Sequence, residues 1–505
     1  MSQHEYDVIV VGSGGGALTA AHLAQKAGLR TCVVEKTDRL GGTSAYSGGA
    51  CWLPGTQVQQ RSGITADSTE SARTYLNTVL DDPQRPADPT KVEAFLAHAP
   101  ELVAALESDD LFEFEHTPFP EYFDAPGRVP GGRSIQPVKI RRDEMPPEVA
   151  ALVRPPVERD RVGEGGRRTL SGGQALVGRL AWAFTRDGGT ILTGHCVDEL
   201  VTQDGRVAGV RADTDDGRVE LGARRAVIVA AGGFEHNQQW RDQYGVQGRS
   251  EWSMAPSGTN VGEPIAAAIA VGAATDLMGE GWFCPGLEQP DGRGSFVLGF
   301  RGGAIVDATG RRFANECLPY DRFGRAMAAA GAVPAWLVFD SREGGQVPAI
   351  AMPQGEPGDH LAAGTWVRAD TVADLAAQLD LPDLAETVTR LNAAAASGVD
   401  SEFGRGADEY DTFFAFGEGP NRALSPIEVG PFYAARFVLS DLGTKGGLVT
   451  DAAARVLDDE GQVVEGLYAT SNSAASMAGR FYPGPGIPLG TAMVFASLAV
   501  RDIVG

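Results

Sequence analysis

The sequence predicts an α/β fold built on a parallel, doubly wound sheet, and three stretches carry that expectation. The first, Tyr6 to Lys36, is an apolar strand, a glycine turn, a helix and a second strand ending in an acid. The second, Thr193 to Ala231, alternates short strand-like runs with Asp-Gly turns ahead of a buried strand, and the third, Gly446 to Ala474, returns to that grammar. Within the first, Val8 to Val11 reads as the buried strand. Gly12 permits the tight turn that leaves it, Gly14 lets backbone approach a pyrophosphate, and Ala17 closes the G-x-G-x-x-G/A pattern where helix packs on sheet. Glu35 follows where a carboxylate bonds a ribose hydroxyl. The phosphates belong at the helix N-terminus, whose unpaired N–H groups and dipole favour an anion. A bound dinucleotide is expected.

Which dinucleotide is decided by the next run, Lys36-Thr-Asp-Arg-Leu-Gly-Gly-Thr-Ser-Ala-Tyr-Ser-Gly-Gly, for which a nicotinamide enzyme has no need at this place. It resembles the segment by which the fumarate reductase and succinate dehydrogenase group of flavoproteins wraps FAD. Small residues admit a flat ring system, and Thr43, Ser44 and Ser47 offer hydroxyl and backbone donors. Members of that group with covalent flavin carry a histidine here, and this run has none, so the resemblance implies non-covalent FAD.

At 505 residues and 43% hydrophobic content the chain can bury a large core in more than one domain. A formal charge of −23 argues against nucleic acid or an anionic membrane surface as partner. No uninterrupted apolar run reaches the roughly 18 residues of a membrane span, and the first strand follows the N-terminus too closely for a signal peptide, so a cytoplasmic enzyme is expected. Cys32, Cys51, Cys196, Cys284 and Cys317 are scattered without CxxC spacing, which speaks against a disulfide framework, an iron–sulfur cluster or attached haem. Electrons leaving the flavin are expected to pass to an external acceptor. His4, His22, His98, His116, His195, His236 and His360 show no metal spacing and read as surface or satisfied core residues, so no metal is expected. No G-x-S-x-G elbow supports serine hydrolysis.

Along the chain, residues 66–108 show helical apolar spacing, and Pro118 to Arg133 reads as a loop and candidate lid. The charged stretch Arg154 to Arg168 reads as a surface excursion. Asp204-Gly205 and Asp216-Gly217 signal hairpins leading to the buried strand Ala226 to Ala230. Strand-like pieces at Ala304–Val306 and Ala335–Phe339, with an amphipathic helix near Thr371 to Ala396, have a different texture. The expected organisation is a discontinuous Rossmann-like FAD-binding domain, residues 1–278 and 441–505, with an inserted α+β substrate domain over 279–440. A last helix is expected to open at Gly490, its N-terminus aimed at the flavin pyrimidine edge. The residues expected to touch the cofactor are Gly12, Ser13, Gly14, Gly15, Glu35, Lys36, Gly42, Thr43, Ser44, Ser47, Gly48, Val197, Ala231, Gly232, Asn472, Pro488 and Leu489.

Three phrases stand outside this grammar: Pro118-Phe-Pro-Glu-Tyr122-Phe, Asn315-Glu-Cys-Leu-Pro-Tyr320-Asp-Arg and Arg480-Phe-Tyr482-Pro-Gly-Pro-Gly486. Each sets a tyrosine beside proline or glycine. With Ser-Asp-Leu-Gly-Thr-Lys-Gly-Gly from Ser440, they resemble the 3-ketosteroid Δ1-dehydrogenase family over nearly the whole chain. The resemblance implies that the Tyr482 hydroxyl and Gly486 N–H bind the carbon-3 oxygen, that Tyr320 removes a proton at carbon 2, and that Tyr122 hydrogen-bonds Tyr320 to ease its ionisation while flavin takes a hydride from carbon 1. Relatives commonly show two tyrosines where this chain has Tyr122 and Phe123, which leaves Tyr122 as the working hydroxyl there.

Alternatives are desaturation of the same steroids at carbons 4 and 5, a fumarate-reductase-like enzyme with Arg322, Arg436 and Arg480 clamping a dicarboxylate, and a flavin electron carrier with no substrate of its own. A tyrosine-bearing Pro/Gly setting suits a neutral ketone better than a dicarboxylate.

Overall fold

Val8, Ile9 and Val10 are fully buried on the first strand, β1 (His4–Val11), as the apolar run requires. The structure is a computed structural model that describes residues 4–505. Helix α1 (Gly15–Lys26) leads from β1 to β2 (Thr31–Val34), which lies parallel to β1 with Val8 facing Thr31 and Val11 facing Val34. The sheet continues through β3 (Thr190–Leu192) on the far side of β2. On the other side of β1 lies the long strand β6 (Gly217–Val229), which follows the hairpin strands β4 (Cys196–Gln203) and β5 (Arg206–Thr214).

β6 serves two sets of neighbours. Its first residues pair antiparallel with β5, from Gly217 opposite Thr214 to Gly222 opposite Gly209. Its last residues, buried from Ala226 to Val229, pair parallel with Val463–Ala469 near the C-terminus. The turn between β4 and β5 has positive φ at both Asp204 (51°) and Gly205 (80°), which matches the right-handed twist of the flanking strands.

The chain divides into two compact units, one of residues 1–244, 255–280 and 443–505, the other of residues 245–254 and 281–442. In the second unit the central strand Phe432–Val438 pairs antiparallel with Ala335–Asp340 on one edge and with Trp366–Ala369 and Gly286–Leu287 on the other. Ala304–Val306 extends the sheet beyond Ala335–Asp340. One apolar cluster contains Leu337, Phe339 and Phe437, another Val338, Leu384 and Leu391.

Three expectations need correction. The helix near Thr371 to Ala396 is two helices, Val372–Leu379 and Leu384–Ser397, because Asp380 turns left-handed (φ 54°) between them. Arg154 does not begin a surface excursion: it is buried, ion-paired to Asp160 at 2.8 Å and bonded to the Thr37 hydroxyl. The final, C-terminal helix spans Ile487–Val504, opening three residues ahead of Gly490, with Gly486 as its cap (φ 87°). Pro488 looks like a breaker yet stands in the first turn, where a missing N–H costs nothing. That helix is also long and apolar enough to cross a membrane by length and composition, although Pro488, Gly490, Arg501 and Asp502 interrupt its apolar run. Most of it is buried, and Ala492 packs where a Cβ at Gly16 would lie 3.0 Å away, as in the core helix of an α/β fold.

His22 departs from the reading of the histidines as surface or satisfied core residues. It is fully buried on α1 beside Phe112 (ring centroids 5.4 Å apart), and neither ring nitrogen has a hydrogen-bond partner among the described residues. Burial lowers its pKa to about 4, helped by Lys26 and Arg186 and opposed by Asp187 and Asp109. Because the unfolded chain binds the proton near pH 6.5, the stability that neutral His22 permits is full above that pH. It is lost progressively as pH falls toward 4. The stability difference between wild type and His22→Leu is expected to change by about 2 kcal/mol in favour of the variant between pH 7.5 and 5, read from urea unfolding midpoints. Equal pH dependence in the two proteins would refute it.

Candidate functional site

The glycine turn is shaped by close approach. Gly12 leaves β1 at φ +103°, and a Cβ there would lie 2.5 Å from the Ala230 carbonyl oxygen at the end of β6. Gly14 caps α1 in an extended conformation, and the Gly15 N–H donates to Ser44 Oγ at 3.0 Å. Ser13 Oγ donates to Glu35 Oε2 at 2.5 Å and accepts from the Gly41 N–H. Glu35 also accepts from the N–H and hydroxyl of Thr37, at 2.8 and 2.9 Å, and a carboxylate so held keeps lone pairs for a further hydroxyl. Lys36 turns its ammonium to Glu263 at 2.6 Å.

Beyond the turn, residues 41–49 interlock with a second Ser-Gly-Gly at Ser171 to Gly173. The Gly173 N–H donates to Ser47 O at 3.0 Å, and a Cβ at Gly49 would collide with Gly172 backbone. The repeated tripeptide was the available signal for that pairing. Ser47 Oγ donates to Ser44 O, whereas Thr43 Oγ1 is buried and meets no partner among the described residues. At Gly42 and Gly48 a Cβ would meet nothing within 4 Å.

Leu489, behind Pro488 in the first turn of the C-terminal helix, lies over the glycine turn, 3.1 Å from where a Gly15 Cβ would be. The Ala231 N–H donates to Ser473 Oγ at 2.9 Å, which in turn donates to Gly232 O, tying the end of β6 to the short turn holding Asn472. Val197 is buried on β4, two residues after His195, whose N–H donates to Glu35 O. Ser473, Thr37 and Gly16 belong to this neighbourhood and were not singled out in the sequence. An unbonded buried hydroxyl, open glycines and a helix N-terminus beside an acid fit a dinucleotide.

Tyr122 and Tyr482 meet edge to face in the first unit, ring centroids 5.1 Å apart at 61°, and both are buried. The loop carrying Tyr122 is bonded from within. Glu121 is fully buried and accepts from Arg133 Nε (2.6 Å), Trp52 Nε1 (3.0 Å) and the Val129 N–H. Arg133, equally buried, is paired also to Asp67 at 3.0 Å and lies over the Trp52 ring. Burial pushes the Glu121 carboxyl up and the Arg133 charge opposes it. Removing one partner of such a pair costs about 3–5 kcal/mol. The Tyr482 loop is held as firmly: the Tyr75 hydroxyl and Tyr122 N–H both donate to Pro483 O, at 2.6 and 3.0 Å. Lys445, from the Ser440 phrase, donates to Arg480 O at 2.6 Å.

In the second unit Tyr320 is the first residue of the ten-residue helix Tyr320–Ala329. Its buried ring stands edge-on to Phe296, centroids 4.8 Å apart at 82°. The preceding Glu316 is buried in an ion cluster with Arg312 (2.7 Å) and Arg405 (3.2 Å), which anchors the phrase that ends at Tyr320. Two arginines of the supposed dicarboxylate clamp are committed to protein carboxylates: Arg436 to Glu288 and Arg480 to Asp82, each at 2.9 Å.

Residues 7–489 match the family described as FAD binding domain, and with the glycine turn this defines an FAD-dependent oxidoreductase. The chain is 40% identical to a 3-oxosteroid 1-dehydrogenase of Rhodococcus opacus, over 99% of its own length and 98% of that protein. A crystal structure of 3-ketosteroid Δ1-dehydrogenase from Sterolibacterium denitrificans with 1,4-androstadiene-3,17-dione matches it with a TM-score of 0.90 and 32% identity, covering 99% of both chains. A 4-oxocyclohexanecarboxylate 2-dehydrogenase of Sinomonas cyclohexanicum is 32% identical over 99% of this chain and 93% of its own. The chain belongs to the 3-oxosteroid 1-dehydrogenase family.

Proposed function

We propose that the chain desaturates the carbon 1 to carbon 2 bond of 3-ketosteroids. The observation that carries the reading is the buried pair Tyr122 and Tyr482 on tightly held loops, in a chain with full-length kinship to 3-oxosteroid 1-dehydrogenases. When bound, FAD supplies the acceptor for the hydride leaving carbon 1. The Tyr482 hydroxyl and the Gly486 N–H hold the carbon-3 oxygen, where negative charge grows as carbon 2 loses its proton. Tyr320 takes that proton; its place at a helix N-terminus favours the negative charge a base must carry. Tyr122 supports the ionised form of Tyr320. Electrons then pass to an external acceptor, and the enzyme works in the cytoplasm.

With androst-4-ene-3,17-dione and an artificial electron acceptor, the expected product is the 1,4-diene, identified by mass spectrometry and NMR. A new double bond only at carbons 4 and 5 of a 5α-steroid would move the reaction, and turnover of 4-oxocyclohexanecarboxylate in place of steroid would move the substrate class. The paired states of Arg436 and Arg480 weigh against a carboxylate substrate.

A further inference from the structure

Carbonyl groups of Arg480, Phe481, Pro483, Pro485 and Gly486 accept from donors on other segments. Lys445 Nζ bonds Arg480 O and Phe481 O, Tyr75 and the Tyr122 N–H bond Pro483 O, and the Trp52 N–H bonds Gly486 O. The Ser134 hydroxyl donates to Pro485 O at 2.6 Å, and Ser134 is fully buried. This last bond has a directional effect. The Pro485–Gly486 peptide is trans, so its C=O and N–H point in opposite directions. Holding Pro485 O toward Ser134 therefore turns the Gly486 N–H the other way, and that N–H meets no acceptor among the described residues. Glycine at 486, in the left-handed region at φ 87°, offers little resistance of its own to rotation of this plane.

We propose that Ser134 is a positioning residue for the reaction: its hydroxyl fixes the peptide plane that presents the Gly486 N–H to the carbon-3 oxygen. The inference rests on the reading of Gly486 as a ketone donor. A donor misaimed as charge develops is lost mainly from the transition state, so the effect falls on kcat more than on KM.

The test uses FAD-loaded wild type, Ser134→Ala, Ser134→Thr and Tyr482→Phe with 1,4-androstadiene-3,17-dione labelled with carbon-13 at carbon 3. Infrared difference spectra read the bound carbonyl stretch, which hydrogen bonding lowers. Ser134→Ala is expected to raise that frequency and to lower kcat by about tenfold to a hundredfold with little change in KM, while Ser134→Thr, which keeps the hydroxyl, stays near wild type. If Ser134→Ala fails to fold, Ser134→Cys, a weak donor of similar size, gives the same reading on folded protein. An unchanged carbonyl frequency in the serine variants, beside a shifted one in Tyr482→Phe, overturns the role of Ser134 alone. No shift in Tyr482→Phe overturns the ketone-holding reading and this inference with it.

Discussion

Tyr320→Phe is expected to bind steroid and retain FAD while turnover falls by about a hundredfold to ten-thousandfold, the usual contribution of a positioned base. Phenylalanine keeps the ring that packs edge-on to Phe296 at 4.8 Å, so the change removes the hydroxyl and little else. The decisive measurement is solvent exchange of the carbon-2 hydrogen, followed by deuterium NMR with FAD content checked in parallel. Exchange should disappear with turnover. Wild-type exchange in this variant would remove Tyr320 as the base, whatever happened to the overall rate.

Tyr482→Phe asks a different question, because a ketone donor strengthens its bond as charge moves onto oxygen. Loss of one such donor typically lowers the rate by on the order of a hundredfold or more. Gly486 remains as the second donor, so exchange at carbon 2 should be slowed but not abolished. The phenylalanine ring preserves the 5.1 Å edge-to-face contact with Tyr122, which separates loss of the hydroxyl from loss of packing. Complete loss of exchange, equal to that in Tyr320→Phe, would mean that the two tyrosines are not divided into base and donor.

The cofactor side was legible because its determinants are local. A strand, a glycine turn, a helix and an acid within Tyr6 to Lys36 each constrain their neighbours, and the structure sets Gly12 against Ala230 and Ser13 against Glu35. The tyrosine phrases were legible as phrases, through resemblance. What supports them was not. Glu121, Arg133 and Asp67 come from separate segments, and by composition alone each reads as a surface charge, yet all are buried together. Lys445 and Ser134 bond carbonyls hundreds of residues away or on another loop, and backbone acceptors carry no mark in a sequence. The bonds that hold the Tyr122 loop are equally unmarked. Irregular sequence reports the lack of repeating hydrogen bonds, not the lack of bonds.

The order of strands also bears on how the protein is made. β1 is made before β6, its neighbour in the sheet, but β6 completes its own pairing only with residues 463–469, and α1 packs against the helix of residues 487–504. Every residue of the second unit lies between 245 and 442, so that unit is entirely synthesised while the first still lacks the sheet strands Arg455–Leu457 and Val463–Ala469 and the helix Ile487–Val504. Domains that fold as units during translation would finish in the reverse of their order of appearance. The nascent glycine turn is therefore without its covering helix until residues 487–504 have been made.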